Sequence, residues 1–416
     1  MERTVLINND VVVMGLLALI LALVFSSSRS QWSPLKTFYT YVPAIFLCYF
    51  LPSLLNTFGI IDGSASNLYP VARNYFLPAS LVLLTMSVDL KRLLALGPKA
   101  LVMFLTGTLG VMIGGPLILY IYSLISPEQV TGTGPDALWR GLATIAGSWV
   151  GGAANQAALR ETYNTPTDLF SVMVTIDIII GNLWMAFLFF LIGNSSRLDR
   201  WLQADTRAID EVRATVEQFQ AEHKREMTLN DLMIMVGLAI GVTGLAHWLA
   251  GFVASYIGEH APYLKTWSLD STFLWVVILA TAGGLGLSFT RARRLEGVGA
   301  SKIGSGFLYI LIATVGMQMN IAAIAEHWQL FFVGLFWILT HGALLFLVAK
   351  LIRAPLFFLC VGSQANIGAA ASAPVVAAAF HPSLAPVGVL LAVFGYVLGT
   401  YGGYMCAEMM RLVSGG

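Results

Sequence analysis

Charged side chains are scarce in this chain. They make up 11% of its 416 residues, whereas hydrophobic residues make up 57%; a soluble globular domain carries roughly 25% charged residues. Thirteen of the charges lie between Arg197 and Glu226, so the rest of the chain is poorer still. So few charges cannot cover a water-facing surface of this size, which excludes a soluble enzyme, a nucleic-acid-binding protein and a disordered chain. The composition favours an all-α polytopic membrane protein that has the lipid bilayer as its partner.

Cysteines and catalytic motifs are also few. The three cysteines lie in apolar segments and form no Cys-x-x-Cys pair, which argues against a disulfide framework or a metal site. The sequence contains no His-Glu-x-x-His pair, no Walker loop and no nucleophile elbow. We therefore expect no enzyme activity and no cofactor. The formal net charge is only +1, so the chain has no strong positive field to attract nucleic acid, and we expect no nucleic-acid partner.

Long apolar stretches are what the chain has in abundance. Twelve of them are candidate membrane segments, and most are long enough to cross a hydrocarbon core of ~30 Å at ~1.5 Å per residue. We interpret the first as a retained membrane segment and not as a signal peptide. The stretches cover residues 10–27, 38–58, 72–88, 101–125, 138–160, 168–193, 229–256, 267–289, 303–317, 328–350, 355–380 and 385–410.

The charged stretch divides the chain into a first half at 1–193, a linker at 194–228 and a second half at 229–416. In the linker, apolar residues recur at mostly helical spacing between the charges. This pattern predicts an amphipathic helix that lies on the membrane surface or on the protein. We interpret the linker as a cytoplasmic tether between the halves, and a hinge or regulatory element is the alternative.

A glycine-rich run occurs once in each half. The run from Gly147 to Ala157 reads Gly-Ser-Trp-Val-Gly-Gly-Ala-Ala-Asn-Gln-Ala, and the run from Gly362 to Ser372 reads Gly-Ser-Gln-Ala-Asn-Ile-Gly-Ala-Ala-Ala-Ser. A gap of one residue aligns both the Gly-Ser start and the later Gly-Ala-Ala. Together with weaker matches in the same order, the runs predict a duplication. The alternative is that membrane helices in general use small residues for close packing.

Basic loops predict how the segments cross the membrane. Lysines and arginines favour the cytoplasmic side, and they concentrate after the first and third segments, in the linker, near 290–302 and at 350–354. If all five places are cytoplasmic, one of the three segments between the loop 89–100 and the linker cannot cross. The segment that contains Gly147–Ala157 is the natural candidate, because a re-entrant hairpin is tolerated where it lines a cavity. A broken spanning helix is the alternative.

If the glycine-rich segment of the second half also fails to cross, both halves cross the membrane the same odd number of times. This predicts an inverted repeat. Each half then has about five spanning helices and one glycine-rich re-entrant hairpin or broken helix. Because five is odd, the halves face opposite ways, the N-terminus lies outside and the basic loops lie inside. We expect the protein in a bacterial inner membrane.

The two glycine runs and the Phe-Leu-Pro-Ala-Ser-Leu-Val-Leu-Leu sequence that begins at Phe76 resemble the YjcL-type family of uncharacterised membrane proteins. Families of this kind are grouped with the cation/proton antiporter and anion transporter superfamily. The resemblance implies two inverted repeats, a scaffold domain and a mobile core domain of the elevator type, and it makes a homodimer an open expectation. It does not imply a substrate.

Polar residues inside apolar segments are the candidate site. Inverted repeats put the substrate near the midplane, where the irregular segments meet, and buried amides need a partner. The candidates for substrate binding are Ser148, Asn155, Gln156, Ser363, Gln364, Asn366 and Ser372. Helix-to-helix hydrogen bonds are the alternative role for these side chains.

Asp177 is the strongest candidate for ion coupling, because a carboxylate within a membrane segment is costly and is a functional hypothesis by default. It can bind Na⁺ when ionised or carry H⁺ when protonated. Asn182, Thr340 and His341 are further candidates, although a buried histidine more often holds a helix contact. By the repeat offset, the counterpart of Asp177 lies near Gly395, so the halves are chemically unequal.

These observations predict a secondary transporter. Its substrate would be a small polar solute, such as an organic anion, an amino acid or a small peptide, and Na⁺ or H⁺ would be the coupling ion. The second hypothesis is a monovalent cation/proton antiporter that uses Asp177 alone. A channel or a structural membrane protein is the hypothesis from another class.

Overall fold

The structure is a computed structural model that describes residues 5–42, 44–63, 65–86, 97–130, 132, 134–261, 263–264, 269–319 and 328–415. Within these ranges the chain is almost entirely helical, and one isolated bridge joins Ile7 to Ile61. The predicted all-α multi-pass architecture is confirmed at this level. The loop 318–327 and the basic loop 89–100 lie mostly outside the described residues.

The helices follow the predicted apolar segments closely. In the first half they are α1 (Asp10–Ser28), α2 (Ser33–Tyr41), α3 (Ala44–Thr57), α4 (Leu77–Thr85), α5 (Gly97–Ile125), α6 (Leu138–Gly151), α7 (Ala153–Thr162) and α8 (Thr167–Gly193). The linker forms α9 (Ser195–Leu202) and α10 (Arg207–Glu222). In the second half they are α11 (Leu229–His260), α12 (Thr272–Ser288), α13 (Ala300–Gly316), α14 (Trp328–Ile352), α15 (Leu356–Ile367), α16 (Ala369–Phe380) and α17 (Ala385–Val413).

Five of the described helices are long and apolar enough to cross a membrane alone, and two sharply bent helix pairs raise the number to seven. Several other predicted crossings fall on shorter helices. One is α13, and another is the helical stretch 68–85, in which a helical turn and a π-helical turn precede α4. Local signals set several helix ends. For example, the Asn9 side chain caps α1, and Thr228 and Asp231 form a reciprocal capping box at α11.

The helices pack as two groups. The first bundle comprises α1, α3, α4, α11, α12 and α13, and the second bundle comprises α5 to α8 and α14 to α17. Each bundle takes helices from both halves of the chain, so the packing units differ from the sequence halves. The bundles touch where α3 meets α8, where α4 and α12 meet α17, and where α13 meets α16.

The linker forms two helices and not the single helix that the sequence predicts, because the chain turns at Gln203, whose φ is 54°. Its contacts reach both bundles. Asp199 accepts a hydrogen bond from the backbone N–H of Leu356 at 2.7 Å, at the start of α15. Farther along, the guanidinium of Arg293, which precedes α13, lies 4.4 Å from the ring centroid of Phe219. The linker is therefore packed on the protein.

Candidate functional site

The first glycine run folds α6 and α7 into a hairpin, hairpin 1. The turn lies at Gly152, whose φ of 85° is unfavourable for any residue with a Cβ. At the open end, the rings of Trp139 and Tyr163 lie 5.2 Å apart, and the Thr165 hydroxyl donates to the carbonyl of Arg140 at 3.2 Å. Residues more than 20 positions apart can meet in this way only if the second arm runs back along the first.

The second run forms hairpin 2 from α15 and α16. Ala369 follows Gly368 at the turn and has a φ of 47°, in the left-handed region. The ring centroids of Phe357 and Phe380, at the two open ends, lie 5.3 Å apart. Near the tip, the Gln364 amide donates to the Ser372 hydroxyl at 2.8 Å. Both glycine runs are therefore hairpins and not broken continuous helices.

The tips of the two hairpins meet beside the middle of α17. A Cβ at Gly395 would lie 2.9 Å from the carbonyl oxygen of Ala365 and 3.7 Å from that of Val150. The open ends lie at opposite ends of this helix. Tyr163 of hairpin 1 donates to Glu408 near the C-terminus of α17 at 2.9 Å, whereas hairpin 2 leads directly into its N-terminus. The two hairpins thus approach from opposite sides, and glycine permits the close contact between their tips.

Asp177, on α8, is held by hairpin 1. Its carboxylate accepts hydrogen bonds from the Ser148 hydroxyl and the Trp149 indole N–H, both at 2.7 Å, and from the Gln156 amide at 3.1 Å. All three partners donate, which is the arrangement that suits an ionised carboxylate. Because the three donors come from one hairpin tip, the position of the carboxylate depends on that tip.

A cavity of about 220 Å³ lies between the bundles at this point. The second bundle contributes residues of both hairpin tips and of α8, and the first bundle contributes Tyr69, Val315 and Gln318. The lining residues from the second bundle are Ser148, Asp177, Ile178, Gly181, Asn182, Met185, Gln364, Ile367, Gly368, Ala371 and Ser372. A movement of one bundle against the other would change the shape and access of this cavity.

A model of a family described as a protein of unknown function, DUF819, matches residues 15–413. The chain belongs to the DUF819 family. It is also 23% identical over 350 residues to the uncharacterized membrane protein YjcL of Bacillus subtilis strain 168, and the alignment covers 81% of this chain and 82% of the relative. The predicted resemblance to YjcL-type proteins is confirmed. Neither name gives a substrate for this DUF819 protein.

Five of the predicted site residues line the central cavity of the DUF819 chain: Ser148, Asp177, Asn182, Gln364 and Ser372. Gln156 does not line it but donates to the Asp177 carboxylate. Asn155 is 1% exposed and lies at the hairpin tip, where a Cβ on Gly399 would meet its amide nitrogen at 2.5 Å. These seven residues cluster around the meeting point of the hairpin tips.

Ser363 and His341 lie in a separate, fully buried network. The imidazole Nδ1 of His341 donates to the carbonyl of Gly107 at 2.9 Å, and its Nε2 lies 2.8 Å from the Ser363 hydroxyl. Trp184 donates to the same hydroxyl at 2.8 Å. Because a carbonyl can only accept, a neutral imidazole satisfies every bond. This network joins α5, α8, α14 and α15, which is the helix-contact role that the sequence analysis considers commoner for a buried histidine.

Asn366 and Thr340 also lie away from the cavity. The Asn366 amide donates to the carbonyls of Phe104 and Gly362 at 3.0 and 2.8 Å and accepts from the Thr108 hydroxyl at 2.7 Å. It therefore binds α15 to α5. Thr340 donates to the carbonyl of Phe336, one turn earlier in its own helix, at 2.9 Å. Neither residue is positioned to contact a ligand in the cavity.

Trp149, Tyr69 and Gln318 are site residues that the sequence analysis does not select. Trp149 stands inside the first glycine run, so a search for hydrogen-bond donors to Asp177 would have found it. Tyr69 and Gln318 lie beside α4 and α13 in the first bundle. Only the packing of the two bundles brings them to the hairpin tips.

A larger cavity of about 550 Å³ lies between the linker and the open end of hairpin 2. Its lining carries Asp199 and Asp210 together with Arg200 and Arg213. These charges balance, and Arg213 donates to the carbonyl of Phe380 at 3.0 Å. The lining therefore gives no sign of a particular ligand, and its polar groups help to attach the linker to hairpin 2.

Proposed function

We propose that this protein is a secondary active transporter of a small polar solute, coupled to Na⁺ or H⁺. The observation that carries the proposal is the cavity between the two bundles, in which both hairpin tips and the Asp177 carboxylate meet residues of the first bundle. A polar pocket at the junction of two irregular segments is the usual position of a transporter site. The polar groups of the cavity can form the hydrogen bonds that a solute otherwise makes with water.

Alternating access arises in this proposal from movement of the second bundle past the first, as an elevator-type core moves past its scaffold. Two features support it. The hairpins enter from opposite ends of α17, as expected for re-entrant hairpins of inverted repeats in a bilayer. The cavity also lies on the boundary between the bundles, so a rigid displacement exposes it first to one side and then to the other.

Asp177 is the proposed coupling group. Its carboxylate lies mid-helix in α8 and lines the cavity, while three donors hold it in place. An intramembrane carboxylate that reaches a cavity is suited to bind a cation that drives transport. The arrangement of three donors is best satisfied when the carboxylate is ionised, which favours Na⁺ over H⁺ as the coupling ion.

A monovalent cation/proton antiporter is the second candidate, and the charge of the cavity favours it. Among the described lining residues, Asp177 is the charged side chain, and the others are neutral. Such a cavity attracts a cation without any organic solute. In this case Na⁺ or another monovalent cation would itself be the transported species.

The two candidates are separated by transport in proteoliposomes. Purified protein is reconstituted, and solute uptake is measured with and without an inward Na⁺ gradient or a pH gradient. A symporter accumulates solute in response to a gradient, whereas an antiporter moves Na⁺ against H⁺ with no solute present. Asp177→Asn should lower gradient-driven transport by about 100-fold or more, because the loss of a buried charge partner costs several kcal/mol.

Asp168→Asn is the matched control, because Asp168 is an exposed carboxylate in the first turn of the same helix. It should retain transport. Full gradient-driven transport by the Asp177→Asn protein would remove the proposed coupling group. If the unsubstituted protein moves neither solute nor cation under any gradient, the transporter proposal itself fails.

A further inference from the structure

The central cavity has an unequal supply of charge. Asp177 brings a full negative charge, and the described lining contains no lysine, arginine or histidine. The N-terminus of α16, at Gly368 and Ala371, also lines the cavity, but a helix N-terminus carries only about half a positive charge. The balance is therefore negative, and a solute with only a carboxylate would meet repulsion.

The cavity also has an unequal supply of hydrogen-bonding groups. Gln364 is 2% exposed, and its amide N–H donates to Ser372. Its amide oxygen is buried and has no hydrogen-bond partner among the described residues. Asn182, on the same lining, already uses its amide oxygen to accept from the Tyr49 hydroxyl at 2.8 Å. A buried acceptor without a donor costs about 1–3 kcal/mol, so the Gln364 side chain gains by turning this covered oxygen toward a ligand N–H in the cavity.

The cavity has room for an organic solute. About 220 Å³ corresponds to roughly seven water molecules at ~30 Å³ each. This exceeds what a bare Na⁺ needs and accommodates a small organic molecule. The apolar lining residues Ile178, Met185, Val315 and Ile367 can cover its carbon chain.

We infer that the transported solute is a small organic ammonium ion, whose N–H groups donate to the Asp177 carboxylate and to the unpartnered oxygen of Gln364. This inference rests on the proposed transport function and narrows its substrate class. Because Asp177 is the one carboxylate of the described lining, the ammonium ion and the coupling Na⁺ compete for it. It requires an N–H donor as well as a positive charge. Primary amines should therefore bind better than their N-trimethyl counterparts, which have the same charge and no donor.

The test is ligand binding to the purified full-length protein in lipid nanodiscs. The probes are butylammonium, 4-aminobutanol and cyclohexylammonium, each compared with the N-trimethyl, carboxylate and alcohol molecule of the same carbon skeleton. NaCl without any organic probe tests Na⁺ as the inorganic cation. Thermal stabilisation ranks the probes, and titration calorimetry gives Kd. We expect primary amines to stabilise the protein, the trimethyl compounds to bind at least about tenfold more weakly, and acids and alcohols to have no effect.

Two substitutions assign the contacts. Asp177→Asn should raise the Kd of the amines by about tenfold or more, and Gln364→Met, which keeps the length of the side chain, should raise it severalfold and reduce the preference for N–H donors. Asp168→Asn should leave the Kd unchanged. Since selectivity among the probes is measured on the unsubstituted protein, the test does not depend on the folding of any variant.

Several outcomes would overturn the inference. Stabilisation by the carboxylates and not by the amines contradicts the charge argument but leaves a transporter of anions possible. Stabilisation by Na⁺ alone replaces the organic solute by the inorganic ion and favours the antiporter. Equal binding of the primary and trimethyl amines rejects the role of Gln364. If no probe binds but gradient-driven transport is seen in proteoliposomes, this inference fails and the proposed function stands; if neither binding nor transport is seen, both fail.

Discussion

The two hairpins resemble each other in sequence, yet they use their polar residues differently. Hairpin 1 directs Ser148, Trp149 and Gln156 at one carboxylate. Hairpin 2 commits Ser363 and Asn366 to buried contacts with neighbouring helices, and it presents Gln364 and Ser372 to the cavity. The difference follows from the neighbouring helix. Hairpin 1 faces α8, which carries Asp177, whereas Asn366 of hairpin 2 faces the backbone and Thr108 of α5.

The comparison shows that two similar glycine runs can share a hairpin shape and differ in chemistry. Both tips need small residues, but for different reasons. A Cβ at Gly151 would lie 2.9 Å from the Cα of Gly399 in α17, whereas a Cβ at Gly368 would meet the side chains of Ser372 and Gln364 in its own hairpin. The polar residues are under no such common constraint, because each bonds to whatever its own neighbour offers. The counterpart of Asp177 by the repeat offset lies near Gly395, where there is no side chain to bind an ion and the two tips make contact.

The largest effect is expected from Asn366→Leu, which tests the packing role of hairpin 2. This change leaves the buried carbonyls of Phe104 and Gly362 and the Thr108 hydroxyl without their amide partner. We expect a loss of about 3 kcal/mol or more of stability, measured by thermal unfolding in nanodiscs. The Asn366→Leu protein that remains folded should bind the amine probes with an unchanged Kd. Unchanged stability together with weakened ligand binding would move Asn366 into the site.

A pair of threonines provides the control for that network. The Thr108 hydroxyl donates to the amide oxygen of Asn366 at 2.7 Å and lies 3.3 Å from the carbonyl of Phe104, whereas the Thr340 hydroxyl donates to the carbonyl four residues earlier in its own helix at 2.9 Å. Thr108→Val should therefore lower stability, while Thr340→Val should leave it within about 0.5 kcal/mol.

Gly399→Ala tests the contact between hairpin 1 and α17. The added Cβ would lie 2.5 Å from the Cα of Gly151 and from the amide nitrogen of Asn155. Because the backbone of Gly151 cannot move aside as a flexible side chain can, we expect a loss of about 2 kcal/mol in thermal unfolding experiments. Gly237→Ala, on α11, is the control, since a Cβ there meets nothing within 4 Å and alanine favours a helix. Equal stability of the two variants would contradict the close contact at the tip.

A matched pair of tryptophans separates the site from the packing network. The Trp149 indole donates to Asp177 at 2.7 Å, and the Trp184 indole donates to Ser363 at 2.8 Å. Trp149→Phe should weaken cation binding by about tenfold, or about 1.4 kcal/mol. The substitution removes one of the three donors that hold the ionised Asp177 carboxylate in place. Trp184→Phe should lower the melting temperature and leave the Kd unchanged. Equal effects of the two substitutions on Kd would mean that both hairpins serve the site.

The smallest effect concerns the attachment of the linker. Asp199 caps the first helix of hairpin 2 by accepting the Leu356 N–H at 2.7 Å. Burial raises the pKa of this carboxyl above its usual value, and the N–H of Leu356 opposes the shift. Asp199→Ala should cost about 1 kcal/mol of stability, as loss of a helix cap does. It should not change Kd at the central cavity. An effect on Kd alone would reveal that the linker controls the site.

Much of the fold is predictable from the sequence, because the bilayer imposes long apolar helices and tolerates irregular backbone in few positions. The glycine runs mark both hairpins. An even number of crossings is needed between two cytoplasmic basic loops, and this count favours hairpins over broken spanning helices. Asp177 stands out because a charge is rare in such a segment. The sequence cannot select among Ser148, Asn155, Ser363 and Asn366, since a polar residue in a glycine run serves a ligand or a neighbouring helix equally well.

The sequence by itself determined the helical membrane architecture, the two hairpin segments and the carboxylate proposed as the coupling group. These depend on composition and on local backbone freedom, which are properties of short segments. Only the tertiary structure decided that the hairpin tips meet at Gly395, that Trp149 holds Asp177, and that Tyr69 and Gln318 complete the cavity. The reason is physical: the partner of a buried polar group is set by which distant helix packs against it, and that choice is made by the whole chain.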